Sequence, residues 1–423
     1  MHHLFMENVG PVKQCNMDID QFTILTGPQS SGKSTIAKSI FFFRTIKDDI
    51  FDVMLKRNHS ITNELSLYKN VASQVRNKFL QLFGTSRALS NKLCMKYKYN
   101  EETYINVTLR LEKGTNYIAP NYIYFEFSKN IEDFLRKYNN FNFVEEKEII
   151  QQQLKDLFSD DYEIIFIPAG RNLISLLTTQ LNYIFTIMDE DQKRSIDFCT
   201  QKYIERILKI RASFENGVQG YLDTKRDFLC ENENINIINK SIELSNEVLK
   251  GKYSYVLGEE RLWLNTKKYI KLNYTSSGQQ ESVWIFNILL YQLINKSKTF
   301  IILEEPEAHL YPDAQKSISE LLSLFMHSGN SVLLTTHSPY VLGSFNIFLF
   351  AHSIACHVGM EKVSNIIDIN KILTTCDAYF INKGNLKSCF DSKNNLIKNE
   401  VIDGASEVIN EAFDKLLELE NEE

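Results

Sequence analysis

The sequence predicts an α/β fold with mixed and parallel sheets, a helical insert and a small C-terminal α+β extension. Three observations lead there. The runs Tyr162–Pro168, Thr299–Leu303 and Ser331–Thr335 are apolar without alternation, as in strands buried on both faces of a parallel sheet. Tyr104–Leu111 instead alternates with period two, the mark of a half-buried antiparallel strand. Lastly, Thr23–Thr35 reads as strand, glycine-bounded loop and helix start in immediate succession.

The first element is a strand over Leu4–Met6, separated from a second, Phe22–Leu25, by Gly10-Pro11 and a turn at Asp18-Ile19-Asp20-Gln21. Gly27-Pro28-Gln29-Ser30-Ser31-Gly32-Lys33-Ser34 then fits G-x-x-x-x-G-K-[ST], with Thr35 following. Such a loop aims several backbone N–H groups, and the dipole of the helix it opens, at polyphosphate oxygens. Lys33 would reach the β/γ-phosphates and the Ser34 hydroxyl would ligate Mg²⁺. The bland alternative is a glycine turn beside an ordinary lysine. Ile36, Ile40 and Phe43 form the apolar face that packs this helix on the sheet.

Between Leu65 and Asn100 there is no Asp or Glu, while Lys69, Arg76, Lys78, Arg87, Lys92, Lys96 and Lys98 are interleaved with aromatic residues. Arg76, Lys78 and Lys92 are therefore candidates for contacting a nucleic-acid backbone. A solvated helix face that pairs with acidic segments elsewhere is the competing reading. Strands follow at Tyr104–Leu111 and Tyr122–Phe127, then polar helix over 129–160. The strand Tyr162–Pro168 ends at Ala169-Gly170-Arg171, which puts an arginine where it can meet a phosphate or form a structural ion pair. Residues 172–250 are helical by periodicity.

Strands return at Tyr253–Leu257, Arg261–Leu264 and Tyr269–Tyr274. Ser276-Ser277-Gly278-Gln279 then opens an amphipathic helix over Ser282–Ile294, and offers backbone N–H groups to an anion or merely caps the helix. Thr299–Leu303 delivers Glu304-Glu305-Pro306-Glu307 at its carboxyl end. Paired carboxylates opposite a phosphate loop suit Mg²⁺ coordination and the polarising of an attacking water. Ser331–Thr335 ends at Thr336-His337. Beyond Phe350 there is no further catalytic pattern, only a hairpin turn at Asp391–Asn395 and an amphipathic helix over Ala405–Leu419.

Composition narrows the classes. A chain of 423 residues accommodates one large α/β domain with insertions or a few smaller domains, and 43% hydrophobic with 24% charged residues is globular usage. The net charge of -6 argues against a chain that binds nucleic acid as a general polycation. Seven cysteines without a C-x-x-C exclude a zinc ribbon or disulfide framework, and Cys356-His357 lacks metal-spaced partners. The N-terminus has no signal-peptide core. The longest apolar stretch, Val283–Ile294, holds Asn287 and Gln292 and is too short for a bilayer, so a cytoplasmic protein without a membrane contact is expected.

Taken together and in this order, the motifs resemble those of ABC-type ATPases, in the branch that includes the SMC and RecF proteins and the ATPase domains of OLD-family and related bacterial anti-phage defence proteins. Asn8-Val9-Gly10-Pro11-Val12 is similar to the branch's opening strand, Gly27–Thr35 to Walker A, Ser276–Gln279 to the signature motif, Ile301–Glu305 to Walker B, and His337 to the switch histidine; the resemblance brackets residues 4 to about 345. It implies an ABC-type P-loop ATPase head using ATP and Mg²⁺. Two heads face each other head to tail, each ATP lying between Walker A of one and the signature of the other. Ser276 and the Gly278 N–H then meet the γ-phosphate in trans, Glu304 helps hold Mg²⁺, Glu305 is the general base and His337 senses the γ-phosphate.

The departures are specific. Glu304 stands where Walker B usually has Asp, Ser277 where many signatures have Gly, and Tyr311 where transporters have the D-loop Asp. Glu307-Ala308-His309-Leu310-Tyr311-Pro312 is closer to the OLD and RecF branch. No Q-loop glutamine is assigned among Gln151, Gln152 and Gln153, and no Toprim nuclease pattern follows Phe350. The expected organisation is 1–171, the first part of the head with Walker A and a basic insert; 172–250, a helical lobe; 251–350, the second part of the head; and 351–423, a cap or docking extension. The expected function is an ATP-driven switch, at least a homodimer, that controls a separate effector protein, a nuclease or toxin, in anti-phage defence. A DNA-repair or chromosome-associated ATPase that clamps DNA directly is the alternative. A non-hydrolysing nucleotide-binding scaffold is a third class, and a transporter head the least favoured.

Overall fold

The computed structural model of the chain describes residues 1–58, 66–84, 89–111, 114, 118–139, 146–172, 174, 187–189, 196–226 and 232–398. The helix expected over Ala405–Leu419 lies outside them. The strands are β1 (His2–Val9), β2 (Val12–Ile19), β3 (Phe22–Thr26), β4 (Cys94–Lys98), β5 (Tyr104–Leu111), β6 (Ile118–Phe127), β7 (Glu163–Ile167), β8 (Lys252–Val256), β9 (Glu259–Trp263), β10 (Tyr269–Lys271), β11 (Thr299–Glu304), β12 (Ser331–Thr336), β13 (Asp377–Asn382), β14 (Asn385–Ser388), β15 (Phe390–Asp391) and β16 (Leu396–Ile397). Among the described residues the main sheet runs β6-β5-β4-β1-β2-β14-β13-β3-β12-β11-β7.

One half of that sheet is parallel: β13, β3, β12, β11 and β7 pair in that order. Their unbroken apolar runs have a simple cause. Ile24, Ile301, Leu303, Val332 and Leu334 enter the core on one face. Leu25, Phe300, Ile302 and Leu333 enter the core on the other, with Ile36, Ile40, Phe42 and Phe43 of the helix α1 (Lys33–Arg44). The other half, β2, β1, β4, β5 and β6, is antiparallel. There β2 was hidden from the sequence by Lys13, Gln14, Asn16 and Asp18 on its solvent side, while Val12, Cys15, Met17 and Ile19 are buried.

Two further expectations are corrected. Residues 377–388 do not cap the sheet: β13 and β14 lie inside it, between β3 and β2. The helix Ser277–Ile294 is not amphipathic but buried almost all round. Its outer side is covered by the helices within 198–249, whose Ile204, Ile207, Phe214, Leu222, Ile238 and Ile242 share a core with Trp284. Trp284 Nε1 donates to Glu260 Oε1 at 3.0 Å, tying the small sheet β10-β9-β8 to the same helix.

Among the described residues one helix, Pro339–Val358, is long and apolar enough to cross a membrane, so Val283–Ile294 is not the relevant stretch. One face of it, with Val341, Leu342, Phe345, Phe348 and Leu349, is packed in the protein core.

Candidate functional site

Parallel register brings four chain segments to one edge of the sheet. Thr26 is paired with Thr336, Thr335 with Glu304, and Leu303 with Ile167, so the segments beginning at Gly27, His337, Glu305 and Pro168 leave neighbouring strands on the same side. This is the carboxyl-end crevice in which open α/β sheets bind ligands.

The glycine loop is held tightly there. Gly27 has φ 141°, and a Cβ on it would lie 2.2 Å from the carbonyl oxygen of Ile381 in β13. Gly32 has φ 116°, with its Cβ position 2.7 Å from Val12 Cγ2. Only glycine allows both the left-handed backbone and the close approach. Gly32 opens α1, so the loop leads directly into a helix N-terminus. Lys33 is almost wholly buried, and its Nζ donates to the carbonyls of Gly27 and Pro28, each at 2.9 Å. Burial lowers its pKa, and the carboxylates of Glu305, Glu307 and Glu304 oppose that shift.

Glu304 and Glu305 part company at the end of β11. The Glu304 carboxyl turns inward and is buried; Oε2 accepts the Ala169 N–H at 3.3 Å, while Oε1 is buried without a partner. Burial raises its pKa against the pull of the Ser34 hydroxyl, the Ala169 N–H and Lys38. An orphaned carboxylate oxygen beside a serine hydroxyl at a helix start fits a hard cation with oxygen ligands. Glu305 is half-exposed and takes the unusual φ of 43°; its N–H donates to the Thr335 carbonyl at 2.9 Å.

His337 bridges these groups. Lys33 Nζ, which can only donate, is 3.5 Å from Nδ1, leaving the Nε2–H to donate to Glu305 Oε1 at 2.9 Å. Its position is set by a residue that sequence reasoning left without a role: Glu307 Oε1 accepts both the His337 N–H and the Thr336 hydroxyl, each at 2.7 Å. The spacing Glu305-x-Glu307 was the available signal.

Arg171 does not face the crevice as a free phosphate ligand. It is fully buried and holds the Glu304 and Glu305 carbonyls from behind. Ser276 and Ser277 are exposed at the start of the helix Ser277–Ile294, where Ser276 and Gln279 form a capping box. The hydrogen bonds of Gln279 run to Ser276 and to Leu249, not to the glycine loop. The basic segment is broken up. Lys78 is corrected as a surface contact: it is buried, with Nζ 2.6 Å from Asp49, because its helix turns that face onto α1 and its successor. Arg76 is half-buried, and Lys92 is exposed in a turn before β4.

A family model described as AAA ATPase domain matches residues 1–342. No curated protein matches the chain. Among solved structures, an SMC head bound to the C-terminal winged-helix domain of ScpA is similar with 13% identity and a TM-score of 0.41, covering 91% of this chain and 95% of that one. An SMC head domain from Thermotoga maritima has 12% identity and a TM-score of 0.36, with 91% and 97% covered. A Pyrococcus furiosus SMC head with an extended coiled coil, bound to the C-terminal domain of ScpA, has 12% identity and a TM-score of 0.38, with 92% and 96% covered.

Proposed function

The chain belongs to the AAA ATPase domain family, and from that premise we propose that it is an ATP-binding and ATP-hydrolysing switch that dimerises head to tail around ATP. The dimer controls a separate effector protein, a nuclease or toxin, in bacterial anti-phage defence. The observation that carries the reading is the meeting of Lys33, Glu304 and the hydrogen-bonded Glu305–His337 pair at one sheet edge, while Ser276 and Ser277 lie exposed at the start of a separate helix.

In this reading Gly27–Thr35 wraps the polyphosphate with backbone N–H groups, and Lys33 exchanges its two loop carbonyls for β/γ-phosphate oxygens. Ser34 and Glu304 hold Mg²⁺, which supplies charge neutralisation when bound. Glu305 orients the attacking water and accepts its proton, and His337 carries the presence of the γ-phosphate to Glu305 through their hydrogen bond. Ser276 and the Gly278 N–H of the partner complete the γ-phosphate's shell, so a lone protomer hydrolyses slowly. Hydrolysis then releases the dimer.

Light scattering of wild type and Glu305→Gln with and without ATP and Mg²⁺, with phosphate release in parallel, tests this. The variant should persist as an ATP-dependent larger species with little turnover. Size independent of nucleotide in both proteins means either a pre-assembled oligomer or a wrong trans site, and unimpaired turnover of Ser276→Arg then refutes the head-to-tail switch; a wild type that never releases phosphate favours the scaffold class. The DNA-clamp alternative is weakened by the burial of Lys78, one of its three candidate contacts.

A further inference from the structure

Arg171 and Glu281 are both buried, and together they join two motifs that the ATPase reading uses separately. The Arg171 side chain donates through Nη1 to the carbonyls of Pro168 at 2.6 Å and Glu304 at 2.7 Å, and through Nη2 to the carbonyl of Glu305 at 2.9 Å. Its Nε donates to the Glu281 carbonyl at 3.0 Å and lies 3.2 Å from Glu281 Oε2. The Glu281 carboxylate in turn accepts the Arg171 and Asn172 N–H groups, each at 3.0 Å.

Glu281 belongs to the first two turns of the helix that Ser276 caps. That helix has a second tie to the same loop, since a Cβ on Gly278 would lie 2.6 Å from the His309 carbonyl oxygen. The far end of the connection is a strained one. Glu305 sits at φ 43°, a conformation that a non-glycine residue keeps only when its surroundings impose it. Two of those constraints are visible: its N–H bound to Thr335 in front and its carbonyl gripped by Arg171 behind. Buried ion pairs often give little net stability over apolar packing, and in some proteins they serve instead to fix one arrangement against others.

We propose that Arg171 and Glu281 link the two nucleotide sites of the ATP-bound dimer. When Ser276 and Gly278 of one protomer engage a γ-phosphate held by the other, the shift of their helix passes through Glu281 and Arg171 to the backbone of that protomer's own Glu305. That glutamate acts on the second ATP. Each site therefore switches on the other, and Arg171 is a positioning residue that touches no substrate. The inference rests on the head-to-tail reading above.

The test is steady-state phosphate release against ATP concentration for wild type, Arg171→Lys and Glu281→Gln, with ATP affinity of each measured in a Ser276→Arg background that cannot close the sandwich. Wild type should show a Hill coefficient approaching 2, the number of coupled sites, at about 1.5 or more. Both variants should fall to about 1, with kcat lowered roughly tenfold or more as Glu305 loses its exact aim, and with protomer affinity within about twofold. A Hill coefficient of 1 in a wild type that does dimerise on ATP overturns the link without any variant. So does a variant that keeps the wild-type coefficient, or loss of folding and protomer affinity along with kcat in both variants, which marks a merely structural pair. A wild type that neither dimerises nor turns over refutes the underlying reading instead.

Discussion

Replacing Glu307 with Gln isolates the support of His337 from its chemistry. Glu307 Oε1 accepts two hydrogen bonds of 2.7 Å, one from the Thr336 hydroxyl and one from the His337 N–H. Hydrogen bonds to a charged acceptor contribute about 1.5–3 kcal/mol net and neutral ones about 0.5–1.5, so removing the charge while keeping the shape costs about 1 kcal/mol per bond, or ~2 kcal/mol together. If all of that stiffness serves the transition state, turnover falls about 30-fold, at ~1.4 kcal/mol per decade. If it is shared with the ground state, about tenfold is the expected loss of kcat, with KM changed by less than about threefold. Phosphate release across ATP concentrations measures both constants, and a thermal melt gives the stability share. A variant whose melting point drops while kcat stays within twofold of wild type would falsify the reasoning, because Glu307 would then hold only the backbone after β12.

Four other outcomes are expected. Lys78→Ala leaves the Asp49 carboxylate buried without its 2.6 Å partner, which should destabilise the fold by ~3–5 kcal/mol in urea denaturation, and leave any DNA affinity at the folded protein unchanged. Lys92→Glu, by contrast, alters an exposed site; if DNA is bound there, gel retardation at low salt weakens and its salt slope drops by about one contact, whereas no retardation of wild type at low salt ends the DNA-clamp alternative. Burial, then the Arg44 charge, hold His2 down at about 4 against its ordinary 6.5. Between those two values the unfolded chain takes up a proton that the folded one refuses, so stability falls as pH falls through that window, by an amount of order 3 kcal/mol. Asp48 and Asp377, raised by burial to about 6, add a slope of the opposite sign over much of the same range, so the comparison is between proteins: His2→Gln should lose the His2 component, and a variant whose melting temperature against pH parallels the wild type's over the window contradicts the assignment. The last concerns β14 and is argued below.

The site was legible where local chemistry has a local signature. Gly27–Thr35 needs a glycine at each end of the loop and a lysine at a helix start, and all three requirements are adjacent in sequence. The strands β7, β11 and β12 were legible because burial on both faces removes polar residues from the run. Arg171 was ambiguous for the opposite reason. Apart from the Pro168 carbonyl, its partners, Glu281 and the carbonyls of Glu304 and Glu305, are more than a hundred residues away, and backbone acceptors leave no trace in side-chain identity. Lys78 misled because its acidic partner, Asp49, lies before the basic segment began to be counted. The helix Ser277–Ile294 misled because polar side chains such as Asn287 and Gln292 occur on a helix that neighbours enclose.

The C-terminal strands carry the argument furthest from the motifs. The family match ends at residue 342, which alone would make 377–388 dispensable. Yet β13 pairs with β3 from Asp377–Thr23 to Phe380–Thr26, and the next residue, Ile381, presents the carbonyl against which Gly27 is packed. The hairpin is pinned on its other side by Gly384, whose carbonyl accepts the Lys13 N–H at 2.8 Å and the Gln14 N–H at 3.2 Å. Gly384 has φ 83°, and a Cβ there would lie 2.4 Å from the Pro11 carbonyl oxygen. Gly384→Val therefore combines a left-handed backbone penalty of about 1–2 kcal/mol with a backbone clash that nothing flexible can relieve. The hairpin should lift from β2, loosening the wall behind Gly27 and weakening ATP binding about tenfold, while Asn385→Ala, which leaves that backbone conformation intact, should not. Equal ATP affinity of Gly384→Val and wild type by fluorescent-nucleotide titration would mean that the glycine loop is shaped by β3 and α1 alone.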